Sequence, residues 1–511
     1  MKTDTLASDA LASVVVFLVA LPLCMGIAIA SGVPPALGLI TGIIGGIVVA
    51  SFSGCPLQVS GPAAGLSVIV FQMIQEHGVA MLGPIVLLAG VIQVASGLLR
   101  VGQMFRAISP AVIHGMLAGI GALIFAAQFH VMVDHVPKAG GLANLAAFPE
   151  AIALLFEDTD HDHHLAAIVG FVTLGVMAGW AFLAKGRLRT VPAALAAVLV
   201  GTTLAQAGQM HIHYVKLPGN LLEAVTWTNL PGLAGLFNGE ILGEAFALAF
   251  IASAETLLSA AAVDKMAAGR QKTNYDRELL SQGIGNSLCG MLGALPMTGV
   301  IVRSAANVNA GAKTRVSAIL HGLWLMILAL VFPGVLQTVP TACLAAILVF
   351  TGIKLLNFGE LVRLRTYGWP IVAIAVITMG TIISSSLLTG IVVGILLSLV
   401  KVMWAISRLD VRVDHDPVSD RVDVIFEGSA SFVNLPRFTD ALDELPNAAE
   451  IYVHLKQLNY VDHAAVDALS DWEKIRRQRG GQVHVEWTEL MNTYALKNRT
   501  PVPQKVPAGS H

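Results

Sequence analysis

Two ionisable side chains stand in stretches where charge is costly. Glu255 lies deep in the apolar run Phe250-Ile251-Ala252-Ser253-Ala254-Glu255-Thr256-Leu257. Arg303 begins the short run Arg303-Ser304-Ala305-Ala306-Asn307. An acid surrounded by hydrocarbon has to face a cavity or a partner, and it is functional by default. Glu255 can bind and release a proton or, while ionised, help to hold Na⁺. The structural alternative is a carboxylate paired with a donor on a neighbouring helix. Ser259, four residues on, shares its helical face. Glu244 lies closer to the outer surface and reads as an interfacial charge. Arg303 can add positive charge to an anion site or neutralise Glu255.

The backbone near these residues carries a second signal. Gln58-Val59-Ser60-Gly61-Pro62 leads into Ala63-Ala64-Gly65-Leu66-Ser67, and Pro296-Met297-Thr298-Gly299 leads into the run that holds Arg303. Both apolar stretches that follow are too short and too polar for ordinary spanning helices. A helix that begins inside a membrane presents unpaired N–H groups and the positive end of its dipole to the interior. Two such ends facing each other cradle an anion with few charged side chains. Ala63, Ala64, Gly65 and Gly299 let an ion approach the backbone, although small residues also serve tight helix packing. Interruptions at matching places in two halves point to a binding site between inverted repeats.

The rest of the chain must hold these segments in a bilayer. Of 511 residues, 55% are hydrophobic and 13% charged, against about 25% charged in soluble proteins. Charged residues make up 9% of residues 1–408 and 26% of residues 409–511, a step from a membrane body to a soluble-like tail. Apolar runs predict fourteen spans. The first seven lie near 10–31, 34–53, 62–75, 82–100, 109–130, 164–184 and 191–208. The second seven lie near 240–263, 278–296, 303–312, 316–332, 338–353, 369–384 and 387–407. With a cytoplasmic N-terminus, sixteen Lys and Arg fall in inner loops, while the outer loops hold only Lys138 and Lys216. That bias satisfies the positive-inside rule and puts the tail in the cytoplasm. Asp264, Lys265 and Arg270 read as a solvated inner helix end.

Other features exclude more than they assign. A net charge of −2 gives no electrostatic footprint for nucleic acid. Cys24, Cys55, Cys289 and Cys343 lack paired metal spacing and read as core thiols. The outer loop Asp158-Thr159-Asp160-His161-Asp162-His163-His164 has donors for Zn²⁺ or for acid sensing, but its spacing is not diagnostic and no metal is assigned. No intramembrane constellation offers a nucleophile with a base, which argues against an enzyme. In the tail, 422–426, 451–455 and 482–487 read as strands. Leu435–Leu445 and His463–Arg479 read as helices, giving a small α/β domain. Domain limits are expected at 1–408 and 409–495, with 496–511 disordered.

Further motifs carry a family resemblance: Val19-Ala20-Leu21-Pro22, Ser31-Gly32-Val33-Pro34-Pro35 with Gly38-Leu39, and Ser60-Gly61-Pro62. So do Glu278-Leu279, Gln282-Gly283-Ile284-Gly285-Asn286, and Arg303-Ser304-Ala305-Ala306-Asn307 running to Gly311-Ala312-Lys313-Thr314. Over almost its whole length the chain resembles the sulfate permease (SulP) family of anion transporters, solute carrier family 26 in animals. Leu458-Asn459-Tyr460-Val461-Asp462 and the helix after it resemble a STAS domain. The resemblance implies an α-helical membrane protein with fourteen transmembrane segments in a seven-plus-seven inverted repeat, core moving against gate, followed by the small α/β domain. It also implies an anion between the third and tenth spans, homodimerisation, and a role for Glu255 in cation coupling. Leu23 replaces the first-span Gln of many members, a departure shared with bicarbonate carriers. Val300 and Val302 replace serines before the tenth-span arginine. Arg303 favours sulfate or another multivalent anion. Asp462-His463-Ala464-Ala465 replaces the phosphorylatable Asp-Ser-Ser-Gly and argues against phosphorylation there.

The expected activity is secondary active transport of inorganic anions of the sulfate or bicarbonate class, in symport with H⁺ or Na⁺ and without other cofactors. The expected location is a bacterial inner membrane with both termini cytoplasmic. Ser60, Ala63, Ala64, Ser67, Gly299, Arg303 and Ser304 are the anion candidates, and Glu255, Ser259 and Thr298 the cation-coupling candidates. The alternatives are an uncoupled anion channel or exchanger, a dicarboxylate carrier of the same family, or a membrane sensor.

Overall fold

A computed structural model describes residues 3–107, 109–138, 140–156, 163–184, 191–218, 221–228, 238–267, 272–406, 408–416, 420–446 and 450–488. Residues 158–162 of the histidine loop, Lys185, Arg187, Arg189, Arg270 and the expected tail 496–511 lie outside the described residues. The chain forms two compact units, 1–395 and 396–511.

A helix stands at each of the fourteen expected positions. The first seven are α1 (Thr3–Ala30), α2 (Pro35–Phe52), α3 (Ala64–His77), α4 (Leu82–Leu98), α5 (Pro110–Met132), α6 (His163–Leu183) and α7 (Ala193–Ala207). The second seven are α8 (Gly239–Met266), α9 (Tyr275–Met291), α10 (Ile301–Asn309), α11 (Val316–Val331), α12 (Thr341–Leu356), α13 (Trp369–Ser384) and α14 (Leu387–Ile406). Several starts differ from the sequence reading: α1 begins at Thr3 and α9 at Tyr275, whose N-cap Asn274 accepts a hydrogen bond from Arg277 N. Short helices at Gly141–Ala146 and Phe148–Ala153 lie in the connection after α5.

The packing repeats between the halves. α4 packs on α9, and its counterpart α11 packs on α2; α1 packs on α11, and α8 on α4. α5 and α12, equivalent helices, pack on each other, and each also takes one of the pair α13 and α6. The helices therefore fall into a core group (α1–α4, α8–α11) and a gate group (α5–α7, α12–α14), related by the seven-plus-seven repeat. Glycines seven residues apart bring α4 and α9 into backbone contact. A Cβ added at Gly83, Gly90 or Gly97 of α4 would meet α9 backbone at 2.9, 2.3 and 2.8 Å, and one at Gly283 or Gly290 of α9 would meet α4 backbone at 2.5 and 2.2 Å. Helices without a solvent-driven hydrophobic attraction gain their adhesion from such close approach. All four cysteines are buried and free.

The second unit holds β3 (Leu409–Asp416), β4 (Arg421–Ala430), β5 (Glu450–His454), β6 (Leu458–Val461) and β7 (Val483–Val485), with α15 (Leu435–Asp443) and α16 (His463–Gln478). (β1 and β2 lie in the membrane unit, below.) β3 runs antiparallel to β4, whereas β5 and β6 pair parallel with β4, and β7 with β5. β3 and β6 escape the sequence reading because the first is exposed along most of its length and the second has only two buried residues. Val422, Val424 and Phe426 alternate into the core, where the Phe426 and Phe438 rings sit 4.6 Å apart. Asp462 caps α16 by accepting from Ala465 N at 3.0 Å and also accepts from Phe432 N.

Two outcomes follow. Gly90→Val is expected to abolish folding, because its side chain would enter the α9 backbone; size-exclusion chromatography of the purified protein checks it. On the tail sheet, His454 sits between Asp423 Oδ1 at 2.8 Å and Glu486 Oε1 at 3.0 Å. The hydrogen bond to Asp423 raises the imidazole above its usual range, with Glu486 assisting against partial burial. A raised folded value means the contribution is full below about pH 6.5, the unfolded value, and fades as pH rises through the folded one. His454→Gln is therefore expected to loosen β5 at pH 6 and much less at pH 9, read by hydrogen exchange on the full-length protein after correction for intrinsic rates.

Candidate functional site

The two interrupted segments meet. β1 (Ser60–Pro62) and β2 (Met297–Gly299) pair antiparallel in the register Ser60↔Gly299, Gly61↔Thr298 and Pro62↔Met297. Val300 N extends the ribbon by donating to Val59 O at 2.9 Å. The local two-fold runs between Gly61 and Thr298, so each strand delivers its chain to a helix start at the opposite end of the ribbon. The N-cap residues are alike: Ala63 has φ −104° and ψ 130°, and Val300 has φ −100° and ψ 116°. Neither supplies a side-chain cap. Leu66 N donates to Ala63 O at 3.1 Å, and the other first-turn N–H groups of α3 and α10 are left for another acceptor. α10, with nine residues, is about 14 Å long, under half of a bilayer's hydrocarbon core of about 30 Å.

Side chains fasten this geometry. Thr256 Oγ1 accepts from Gly299 N at 3.1 Å. Ser304 Oγ donates to Val300 O at 2.7 Å and accepts from Val59 N at 3.0 Å, so this candidate ties α10 to the first strand. Asn307 Nδ2 donates to Leu57 O at 2.9 Å. Ser67 Oγ donates to Ala64 O at 2.7 Å within the first turn of α3. Ser60, Ala63, Gly299 and Thr298 are all buried at the ribbon, and Ala64 is half-buried. A Cβ added at Gly45, inside a π-helical turn of α2, would lie 2.5 Å from Ser60 O, so α2 can press against β1 only at a glycine.

Arg303 is fully buried. Its Nη2 reaches Pro62 O at 3.4 Å, while Nε and Nη1 have no hydrogen-bond partner among the described residues. A Cβ added at Gly61 would stand 2.2 Å from Nη1, so the guanidinium lies against the middle of β1. No ion pair joins it to Glu255 among the described residues. Glu255 approaches the first turn of α3 instead: a Cβ added at Gly65 would lie 3.1 Å from both of its carboxylate oxygens. Glu255 Oε2 and the nearby Ser259 Oγ are buried without partners among the described residues. Thr298 Oγ1 makes only a 3.5 Å contact with Gly299 O. The arrangement combines two uncapped helix starts, one buried cation and one carboxylate beside a positive helix end.

The other candidates separate from this place. Glu244 meets His77 Nε2 at 3.1 Å where α3 ends and α8 begins. Asp264 accepts from Thr273 Oγ1 at 2.7 Å and so has a partner rather than standing free in solvent. His163 lies 3.8 Å from Asp134, which also holds His213 at 2.7 Å. Thr256, Asn307 and Gly61 were not readable as site residues, since their roles depend on a strand pairing across more than 200 residues. The only local trace was extended Val-Ser-Gly-Pro chemistry ahead of a helix.

The sulfate permease family model matches residues 6–378. The putative sulfate transporter YvdB of Bacillus subtilis is 28% identical over 498 residues, 92% of this chain and 90% of that protein. The bicarbonate transporter BicA of Synechocystis is 25% identical over 368 residues, 70% of this chain and 63% of that protein. The structure of the murine solute carrier 26 family member A9 anion transporter in the inward-facing state superposes with a TM-score of 0.77 at 16% identity, covering 95% of this chain and 86% of that one.

A buried charge left without compensation destabilises a fold by about 3–5 kcal/mol, a penalty that an apolar side chain of similar size does not carry. Arg303→Met is therefore expected to keep or raise the melting temperature of the purified protein in anion-poor buffer. A fall of more than about 5 °C would mean that the guanidinium is well bonded in the folded state.

Proposed function

This chain belongs to the sulfate permease family, and on that premise we propose that it is a secondary active transporter of inorganic anions of the sulfate or bicarbonate class. The observation that carries the reading is the β1–β2 ribbon, which brings two uncapped helix starts beside the partner-poor guanidinium of Arg303. The anion accepts hydrogen bonds from the first-turn N–H groups of α3 and α10, with Ser60, Ala63, Ala64, Ser67, Gly299 and Ser304 shaping the cradle. Arg303 supplies the one full positive charge, which favours a divalent or strongly hydrogen-bonding oxyanion.

Coupling follows from the placement of Glu255. Its carboxylate lies beside the α3 start that attracts the anion, so an ionised Glu255 opposes anion binding. Like charges about 6 Å apart at an effective dielectric of about 20 repel by about 3 kcal/mol, roughly a hundredfold in affinity. A proton on Glu255, or Na⁺ held with Ser259 and Thr298, removes that opposition. By linkage the anion then strengthens cation binding to the same degree, which is the thermodynamic basis of symport. The core group, which carries both sites, moves against the gate group to alternate access. The working form is a homodimer in a bacterial inner membrane with cytoplasmic termini.

Proteoliposomes loaded without anion test the reading. Labelled sulfate or bicarbonate is expected to accumulate above equilibrium under an inward H⁺ or Na⁺ gradient. Glu255→Gln is expected to retain anion exchange while losing accumulation. Unchanged accumulation would remove Glu255 from coupling, and wild-type flux that never exceeds equilibrium would favour the uncoupled channel.

A further inference from the structure

We propose that α9 is the positioning helix of the cradle, and that Glu278, Gln282 and Asn286 set the separation of the two helix starts by gripping both strands at once. The three residues are spaced by four and so form one stripe along α9. Glu278 and Gln282 are fully buried, and Asn286 is 2% exposed. From this stripe, Gln282 Nε2 donates to Ser60 Oγ of β1 at 2.5 Å. Asn286 clamps Met297 of β2 on both sides, accepting from its N at 2.7 Å and donating to its O at 3.1 Å.

Glu278 orients the grip. Its Oε1 accepts the other Gln282 Nε2 hydrogen at 3.0 Å, so the amide group has both donors committed. Its Oε2 accepts from Ser53 Oγ at 2.5 Å and from Cys55 N at 2.9 Å. No basic side chain pairs with Glu278 among the described residues. At the other end, Asn286 Nδ2 also donates to Gln93 Oε1 at 2.7 Å, and Gln93 Nε2 donates to Ser253 Oγ at 3.1 Å. Ser253 is two residues from Glu255 in α8, so the same stripe reaches the helix of the coupling carboxylate.

The dimensions match. Ser60 and Met297 each begin a strand and lie at opposite ends of the ribbon. Two residues of strand span about 7 Å, and the four-residue rise from Gln282 to Asn286 is about 6 Å. A ribbon of three residue pairs is weak by itself. With α9 holding one point on each strand, the strands cannot slide, and the helix starts keep a fixed distance. The stripe touches no anion and acts through Ser60 and Met297. Its effect on anion affinity rests on the function proposed above, whereas its effect on ribbon order does not.

The experiment uses full-length protein in nanodiscs, with Gln282→Leu, Ser60→Ala and the double variant Ser60→Ala/Gln282→Leu. Amide exchange in 57–62 and 296–304 is expected to quicken about tenfold in Gln282→Leu, while α5 and α12 stay unchanged. For whichever of labelled sulfate and bicarbonate the wild type carries, KM is expected to rise about tenfold with maximal rate within twofold. In the double variant the Gln282 effect should vanish, because its route through Ser60 is gone. Ser281→Ala, which removes only a hydroxyl donating to the Glu278 main-chain carbonyl at 2.8 Å and no side-chain contact of the relay, should change neither readout. Exchange that is unchanged, or raised uniformly across the membrane unit, overturns the proposal, as do additive losses in the double variant. Should the wild type carry neither anion, the transport reading falls while the exchange arm still decides the role of α9.

Discussion

Everything at the centre of this protein depends on where two backbone segments find their hydrogen bonds away from water. Inside a bilayer, irregular backbone is tolerated only where protein or a polar cavity satisfies it. Ser60–Pro62 and Met297–Gly299 satisfy each other as a three-residue antiparallel ribbon. That solution pairs the strands and leaves the N–H groups of the next residues, the first turns of α3 and α10, without side-chain caps. The two uncapped helix starts are thus a by-product of how the strands are paired.

Close packing is the second requirement, since a ribbon this short needs rigid walls. The glycine seam between α4 and α9 brings two helix backbones into contact and so fixes α9 in the core group. The related approach of Gly46 to Gly322, where an added Cβ would lie 2.5 Å from the opposing Cα, does the same between α2 and α11. These crossings hold the ribbon from two sides related by the inverted repeat. Among the described residues, the hydrogen bonds that hold the ribbon come from core helices.

The side-chain charges are arranged sparingly around this frame. Arg303 is pressed against β1 under Gly61, and Glu255 against the start of α3 at Gly65. They belong to neighbouring helices but are not paired with each other. A mutual ion pair would have silenced both. Their separation leaves one positive and one negative group that do not neutralise each other.

Much of this was legible in the residues alone. Fourteen apolar runs and the paired interruptions near Pro62 and Gly299 marked the membrane body, its repeat and the two broken segments, because hydropathy and helix-breaking chemistry are local properties. Glu255 and Arg303 stood out for the same reason: burying a charge is unfavourable wherever the chain goes. The pairing of Ser60 with Gly299, the seat of Arg303 under Gly61, and the grip of Gln282 and Asn286 on two strands were not legible. Each joins residues far apart in the chain, and nothing in Gln282 or Asn286 distinguishes a polar face turned to solvent from one turned to a ribbon. Local chemistry decided which segments must be helices and which must break. Only the tertiary structure decided which broken ends face one another, because that is settled by backbone groups seeking partners across the whole fold.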